Sequence, residues 1–234
     1  VLMADGRSDG WVEWGGKRYE FRDAPTYAEK NWGAGFPSKW WWIQCNAFTK
    51  YGDTTKDLLD ISLTSVGALR KLPGVSNEEA VGMVAIHYNG RFFPLTPGNS
   101  KVSWSVTPWG TWNATAVVMN EESSENLPKL RAEVTSISKS PGTPLRAPTD
   151  GQGLAVVCRD TFEGEVRLKV WEDDELLVDA ISKDGGLEIG GGPWEDVWSA
   201  EGTYSPAVKA LLELDLDWED VFKGPLEQLR PPGL

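Results

Sequence analysis

Residues 101–107 read Lys101-Val102-Ser103-Trp104-Ser105-Val106-Thr107, in which polar and apolar side chains alternate without a break. Successive side chains of a β-strand point to opposite faces, so Val102, Trp104 and Val106 share one face of a predicted strand. Residues 165–171 repeat this alternation. Both segments therefore indicate antiparallel strands with one buried and one solvated face.

Short apolar runs at 84–88 and 91–93 flank the pair Asn89-Gly90. This pair tolerates positive φ at both positions of a two-residue type I′ turn, so the sequence predicts a β-hairpin here. From Trp11 to about Ile189, similar segments are separated by glycine, proline and asparagine, which predicts about ten strands of a meandering antiparallel sheet. We expect residues 23–33 and 140–153 to be irregular connections.

The predicted fold class is all-β, specifically a lipocalin-like antiparallel barrel with a short C-terminal helix or two. Closing such a sheet removes its edges and leaves a cavity for one apolar ligand. A β-sandwich would give nearly the same pattern. Ser205-Pro206 reads as a helix N-cap followed by proline, and a second helix is expected from Asp217. We divide the chain into residues 1–10, a remnant of a preceding region, and a lipocalin-like domain at 11–234.

The composition of the 234-residue chain excludes several function classes. Lys and Arg number 23 against 35 Asp and Glu, and this net charge of -12 repels phosphate backbones, so no nucleic-acid partner is expected. No apolar run is long enough to span a bilayer. One histidine, His87, and two cysteines, Cys45 and Cys158, are too few for a Cys/His zinc site or a disulfide framework. Tryptophan, at 13 residues, supplies unusual amounts of flat apolar surface with a polar edge.

Residues 40–48 carry the clearest functional pattern. As an extended strand, the segment places large aromatic rings and two amides on one face and ordinary core side chains on the other. The first face comprises Trp40, Trp42, Gln44, Asn46 and Phe48, and the second comprises Trp41, Ile43, Cys45 and Ala47. The first face suits the wall of a cavity that holds an aromatic or prenyl ligand and hydrogen-bonds its polar head. The alternative is a solvent face with two chance tryptophans.

Acidic residues occur in three segments that interrupt this regular pattern. Asp23 and Glu29 lie in the segment 23–33, Asp160 ends an apolar strand, and Glu188 precedes a triple glycine. Acids at such places can pair and cap turns without any functional role. They can also line a site, because loops and strand ends commonly carry binding and catalytic groups.

Many unrelated short motifs, in order along the chain, resemble those of the tocopherol cyclase family. They run from about Trp11 to the last residue. The motifs are Trp14-Gly15-Gly16, Phe21-Arg22-Asp23-Ala24-Pro25, Glu29-Lys30-Asn31-Trp32-Gly33, Phe36-Pro37, Lys39-Trp40, Gln44-Cys45-Asn46, Pro108-Trp109-Gly110, the segment 142–149, Cys158-Arg159-Asp160, the segment 188–194 and Pro231-Pro232-Gly233-Leu234. Family members extend further at the N-terminus, so the resemblance implies the C-terminal part of the enzyme.

The resemblance implies an isomerase that closes phytyl-benzoquinols to the chromanol ring of tocopherols, in vitamin E biosynthesis, without a cofactor or metal. The expected partners are a prenyl quinol substrate and a peripheral lipid or plastoglobule surface; the oligomeric state is left open. The implied location is a plastid, or a membrane in a cyanobacterium. Two alternatives are a non-catalytic lipocalin-like carrier of prenyl quinols and an enzyme that hydrates a protonated alkene.

Ring closure requires protonation of an alkene, so we expect a carboxylic acid kept neutral by an apolar cavity. The candidate acids are Asp160, Glu29, Glu188 and Asp23. Tryptophan faces would stabilise the cation, and Gln44 and Asn46 would orient the quinol hydroxyls. The candidate substrate-binding residues are Lys30, Asn31, Trp32, Trp40, Trp42, Gln44, Asn46, Trp109, Arg159 and Trp194.

Overall fold

The computed structural model describes residues 3–31, 36–55, 57–71, 78–119, 129–149, 151–205 and 208. These residues form fourteen strands, every pair of which is antiparallel. The strands are β1 (Met3–Trp14), β2 (Lys17–Ala28), β3 (Lys39–Cys45), β4 (Thr49–Lys50), β5 (Ile61–Lys71), β6 (Glu78–Tyr88), β7 (Arg91–Leu95), β8 (Ser100–Val106), β9 (Thr111–Val118), β10 (Leu130–Ser138), β11 (Thr143–Thr149), β12 (Gly153–Glu172), β13 (Glu175–Gly190) and β14 (Trp198–Gly202). The all-β class is confirmed.

One twelve-stranded sheet contains all strands except β1 and β2, which pair with each other. Its order is β14-β8-β9-β10-β12-β13-β3-β5-β6-β7, with β11 paired to β12 and β4 to β13. The predicted hairpin at Asn89-Gly90 joins β6 to β7, and both turn residues have positive φ. The predicted strand at 101–107 is β8, which buries Val102, Trp104 and Val106.

The sheet is not closed into a barrel within the described residues. Its outermost strands, β14 and β7, do not pair with each other, and β14 instead packs against β6. At this contact a Cβ on Gly202 would lie 2.6 Å from the backbone nitrogen of Gly82. The two glycines let the strands touch through their backbones without a hydrogen-bonded ladder, so the sheet curls over its own core with its edges unjoined.

Two segments expected to be irregular contain strands. Residues 23–28 continue β2, and β11 occupies residues 143–149 despite Pro144 and Pro148. Proline is tolerated in β11 because this strand pairs on one side only, with β12, and its missing N–H groups leave no second ladder incomplete. β1 begins at Met3, so residues 3–10 take part in pairing with β2.

The expected C-terminal helices fall on residues 206–234, of which the structure describes Val208 alone. The backbone N–H of this helical residue lies 3.4 Å from the Ser205 hydroxyl, as in an N-cap. Among the described residues, no helix is both long and apolar enough to cross a membrane.

The core depends on close packing between a tryptophan and a glycine on neighbouring strands. Trp41 is fully buried on β3 and pairs in register with Gly67 on β5. A Cβ added at Gly67 would lie 2.2 Å from Nε1 of Trp41, closer than any real contact allows. The indole therefore occupies the space that another residue's side chain would need.

We expect the substitution Gly67→Ala to lower the free energy of unfolding by about 1–3 kcal/mol, because the added methyl group overpacks the core. Urea denaturation followed by tryptophan fluorescence would measure the change. Gly98→Ala is the matched control, since the nearest atom to its added Cβ lies at 3.8 Å. Equal stability of the two variants would contradict this account of the core.

Candidate active site

A cavity of about 740 Å³ lies on the face of the sheet opposite the main core. Strands β3, β5, β12 and β13 form its floor, and the end of β2 with the residues that follow it forms one side. Its lining residues are Pro25, Tyr27, Glu29, Asn31, Phe36, Pro37, Trp40, Trp42, Gln44, Asn46, Val66, Ala68, Asp160, Phe162, Asp184 and Glu188. The lining therefore combines aromatic and aliphatic surface with four carboxyl groups, and none of these residues is basic.

Strand register decides which side chains meet in this cavity. Asp160 of β12 pairs with Glu188 of β13, and Glu188 pairs with Trp42 of β3. Trp42 in turn pairs with Val66 of β5, so these four side chains form one row across the sheet. The residues that alternate with them, such as Trp41, point into the main core. Cavity and core thus use opposite faces of the same strands.

The carboxyl of Glu188, one of the two acids in this row, accepts two side-chain hydrogen bonds. Nε1 of Trp40 donates a hydrogen bond to Oε1 of Glu188 at 2.6 Å, and the Cys158 thiol also hydrogen-bonds to this carboxyl. Burial raises the pKa of Glu188 above its usual range, and the neighbouring carboxyls of Asp160 and Glu29 raise it further, against the lowering effect of the two hydrogen bonds. The folded protein therefore holds the Glu188 proton more tightly than water would.

Asp160 faces Glu188 across the β12–β13 pair. Burial raises the pKa of Asp160 as well. Two carboxyls that face each other in a partly desolvated site do not readily ionise together, because their like charges repel. The pair accordingly holds a proton more tightly than either carboxyl would in water.

Glu29 lies at the side of the cavity in a different arrangement. Its Oε2 accepts a hydrogen bond from the Tyr27 hydroxyl, and its Oε1 accepts one from Nδ2 of Asn31 at 2.8 Å. The Tyr27 ring packs against Trp42 with 5.7 Å between ring centroids. Burial, followed by the hydrogen bond to Glu29, raises the pKa of Tyr27, so the hydroxyl keeps its proton.

Two amide groups on the cavity floor have donors available for a ligand. Gln44 is 5% exposed, and within the part of the chain that the structure describes its Nε2 has no hydrogen-bond partner. Nδ2 of Asn46 is also buried and, among the described residues, has no hydrogen-bond partner. A buried donor without a partner costs free energy, which a polar ligand group would recover.

The structure brings together most of the candidates named from the sequence. Glu29, Asp160 and Glu188 among the acids line the cavity, as do Asn31, Trp40, Trp42, Gln44 and Asn46. Phe48, expected on the same face, is instead fully buried in the main core, because β3 ends at Cys45 and the alternation ends with it.

The structure places the other candidates away from the cavity lining. Asp23 lies in β2 at positive φ, and its N–H donates to Asp9. Trp109 packs on Trp112 and donates to the Ser140 carbonyl, with the Arg159 guanidinium 5.5 Å from its ring centroid. Trp194 donates to the Gly190 carbonyl. Lys30 follows Glu29 outside the lining, and Trp32 lies outside the described residues.

Several lining residues carry no clear signal in the sequence. Tyr27 is the most important, and Phe162, Val66 and Asp184 are others. Tyr27 lies two residues before Glu29, a spacing that shares a face when the chain is extended. The sequence predicts residues 23–33 to be irregular, so it does not indicate that Tyr27 and Glu29 share a face. Among the described residues, no group of three or more His, Cys, Asp or Glu side chains is arranged to hold a metal ion.

The fold and the cavity together define an all-β protein with an acid-lined, tryptophan-walled cavity, suited to an apolar ligand with a polar head. The chain belongs to the tocopherol cyclase-like family, whose model matches residues 1–191. This match confirms the resemblance drawn from the motifs.

Two curated relatives match over the whole chain. The chain is 40% identical over 240 aligned residues to a protein of Oryza sativa subsp. japonica named probable tocopherol cyclase, chloroplastic. It is also 40% identical over 240 residues to the tocopherol cyclase, chloroplastic, of Zea mays. In both comparisons all of this chain is covered but only 47% of the relative, so the chain spans about half their length. No solved structure matches significantly.

The raised pKa of Glu188 predicts a pH dependence of stability. A neutral Glu188 stabilises the fold below the ordinary glutamate pKa of about 4.3, and this contribution is lost as pH rises through the raised pKa. Relative to Glu188→Gln, the unsubstituted protein should therefore lose stability as pH rises from about 4 through the raised pKa of Glu188. The charged and titratable groups facing Glu188 are Cys158 and Asp160 from β12 and Glu29 beyond β2.

Thermal unfolding of both proteins across this pH range would measure the difference. Glu165→Gln is the control, since Glu165 is an exposed residue of β12. The raised pKa of Glu188 would be contradicted if the difference in stability between the unsubstituted and Glu188→Gln proteins did not change with pH.

Proposed function

We propose that this chain contributes the catalytic cavity of a tocopherol cyclase, an isomerase that closes a phytyl-benzoquinol to the chromanol ring of tocopherol. The observation that carries the proposal is the facing pair Asp160 and Glu188, whose pKa values are raised inside a tryptophan-walled cavity. The names of the two plant relatives support the same reaction. In this proposal the chain supplies the residues that bind the quinol and move its protons.

The proposed reaction begins with transfer of a proton from a carboxyl group to the alkene nearest the quinol ring. The alkene π pair forms the new C–H bond, which leaves a tertiary cation on the adjacent carbon and a carboxylate on the protein. A lone pair of the neighbouring phenol oxygen then forms the C–O bond of the new ring. Loss of the phenol proton completes an isomerisation in which no atom or electron is gained.

Glu188 is the proposed proton donor, with Asp160 as the carboxyl that shares its proton. A general acid has to be protonated at rest and still reach the reacting carbon. Glu188 is half-buried, lines the cavity and has its position set by the Trp40 hydrogen bond. Asp160 lies opposite Glu188 in the β12–β13 ladder, and its charge raises the proton affinity of the pair.

The tryptophans and amides on the floor of the cavity have separate proposed roles. Trp40 and Trp42 flank Glu188, so their ring faces would stabilise a cation that forms where the proton is delivered. Gln44 lies two residues beyond Trp42, about 7 Å along the strand. Its unpaired Nε2 would donate to a quinol oxygen, with Asn46 beyond it.

The proposed substrate also suggests where the protein acts. A phytyl-benzoquinol is largely hydrocarbon, so it is expected to reach the cavity from a lipid surface. Both relatives are named chloroplastic, and we propose a plastid location, at a lipid or plastoglobule surface. The net charge of -12 argues against a nucleic-acid partner. We propose residues 11–234 as the unit that carries the site.

The alternative function is a non-catalytic carrier of prenyl quinols. A carrier needs the apolar cavity and the amide donors but has no use for two carboxyls held against their ionisation. Facing like charges cost stability in a purely binding site. The Asp160–Glu188 pair therefore favours the enzyme over the carrier.

Incubation of the chain with dimethyl-phytyl-benzoquinol in heavy water tests the proposal. We expect a chromanol with one carbon-bound deuterium, detected by chromatography and mass spectrometry. Glu188→Gln should lower its rate of formation by about 10²–10⁴-fold, because the amide cannot act as an acid. Glu165→Gln, an exposed change on β12, should leave the rate unchanged.

Three outcomes would count against parts of the proposal. Quinol binding without chromanol formation, seen by tryptophan quenching, would support the carrier. Full turnover by Glu188→Gln would remove Glu188 as the donor. A deuterated tertiary alcohol in place of chromanol would indicate that water traps the cation, as in an alkene hydratase.

A further inference from the structure

The residue that sequence analysis missed, Tyr27, lies at the point where the cavity side meets its floor. Its ring packs against Trp42, which pairs with Glu188 in the neighbouring strand. Its hydroxyl donates to Oε2 of Glu29, which also lines the cavity. A phenol hydroxyl and two carboxyl groups thus surround one part of the cavity, on either side of Trp42.

The two acids beside Trp42 have different surroundings. Both oxygens of Glu29 accept hydrogen bonds from neutral donors, one from Tyr27 and one from Asn31. A carboxylate offers about four lone-pair directions, so Glu29 keeps acceptor capacity beyond these two bonds. Glu188 also accepts hydrogen bonds, from Trp40 and Cys158, but it faces a second carboxyl, Asp160, and burial raises its pKa. Two acids in different surroundings can serve as the acid and the base of one site.

We propose that Tyr27 and Glu29 form the proton acceptor for the phenol oxygen that closes the ring. The proposal rests on the cyclisation proposed above and assigns its second proton transfer. The Tyr27 oxygen accepts the hydrogen bond of the substrate phenol while the Tyr27 hydroxyl donates to Glu29. Asn31 is a positioning residue that holds the other oxygen of Glu29.

The step balances through a two-proton relay. As the phenol oxygen bonds to the cationic carbon, its O–H bond breaks and the proton passes to the oxygen of Tyr27. The original Tyr27 proton passes to Glu29, which becomes a neutral carboxylic acid. Tyr27 ends as it began. The raised pKa of Tyr27 fits this role, because the residue relays a proton without persisting as a phenolate.

The relay also explains how the donor recovers its proton. After one turnover Glu188 has lost a proton and Glu29 has gained one. Burial and the facing carboxyl of Asp160 raise the pKa of Glu188, so the proton is drawn back towards Glu188. The cavity therefore returns to its starting state with no external acid or base.

Deuterium exchange in heavy water separates this relay from alkene protonation. Without a proton acceptor, the tertiary cation forms and reverts by losing a proton, which leaves carbon-bound deuterium in the recovered quinol. We expect Tyr27→Phe and Glu29→Gln to lower chromanol formation by about 10²–10⁴-fold while this exchange continues. Tyr19→Phe is the matched control, an exposed tyrosine on the same strand β2.

The products distinguish failure of the relay from failure of the cyclisation itself. Equal chromanol formation by Tyr27→Phe and the unsubstituted chain would overturn the relay alone. Loss of both chromanol and exchange in folded Tyr27→Phe would also overturn it, because Tyr27 would then serve the protonation step. No chromanol and no exchange with the unsubstituted chain would overturn the cyclisation and the relay together. Circular dichroism confirms that each variant is folded.

Discussion

The site depends on the register of β13 between β12 and β3. This register sets Glu188 opposite Asp160 on one side and opposite Trp42 on the other. Side chains alternate along a strand, so a slip of one residue would turn Glu188 towards the main core and bring Leu187 into the cavity. Leu187 is fully buried in the core, and its burial resists that slip. Core packing on one face of the sheet thereby fixes which side chains line the cavity on the other face.

Close backbone approach holds the tryptophans that surround the acid. A Cβ on Gly190 would lie 1.9 Å from the ring of Trp40, so this glycine leaves room for the indole to cross β13 and reach Glu188. Behind the same ring, Cys158 and Ala68 form a small second core with Trp40 and Ala147. The hydrogen bond to Glu188 is thus fixed by apolar packing, because the indole has little freedom to turn away. This rigidity keeps a partly desolvated carboxyl in one place, which a proton donor requires.

The cavity carries polar groups that the fold alone does not need. Burying an unpaired amide donor such as Nε2 of Gln44, or placing carboxyls where ionisation is disfavoured, lowers stability. The main core on the opposite face compensates with fully buried residues such as Trp41, Ile43 and Leu63. Stability and function are therefore divided between the two faces of β3, β5 and β13. The pair β1 and β2 adds Tyr27 to the functional face without joining the large sheet.

The sequence by itself determined the features that depend on neighbouring residues. Alternation predicted β8 and the two faces of β3, and Asn89-Gly90 predicted the hairpin, because side-chain direction and turn geometry are set within a few bonds. Tertiary structure alone decided whether the sheet closes, since alternation marks a buried face and not what covers it. It also decided which acids meet: Glu188 and Trp40 are 148 residues apart, and only strand pairing brings them into contact. The sequence does not indicate Tyr27 as a site residue, because its segment is rich in loop-forming residues. Only pairing with β1 extends this segment into a strand.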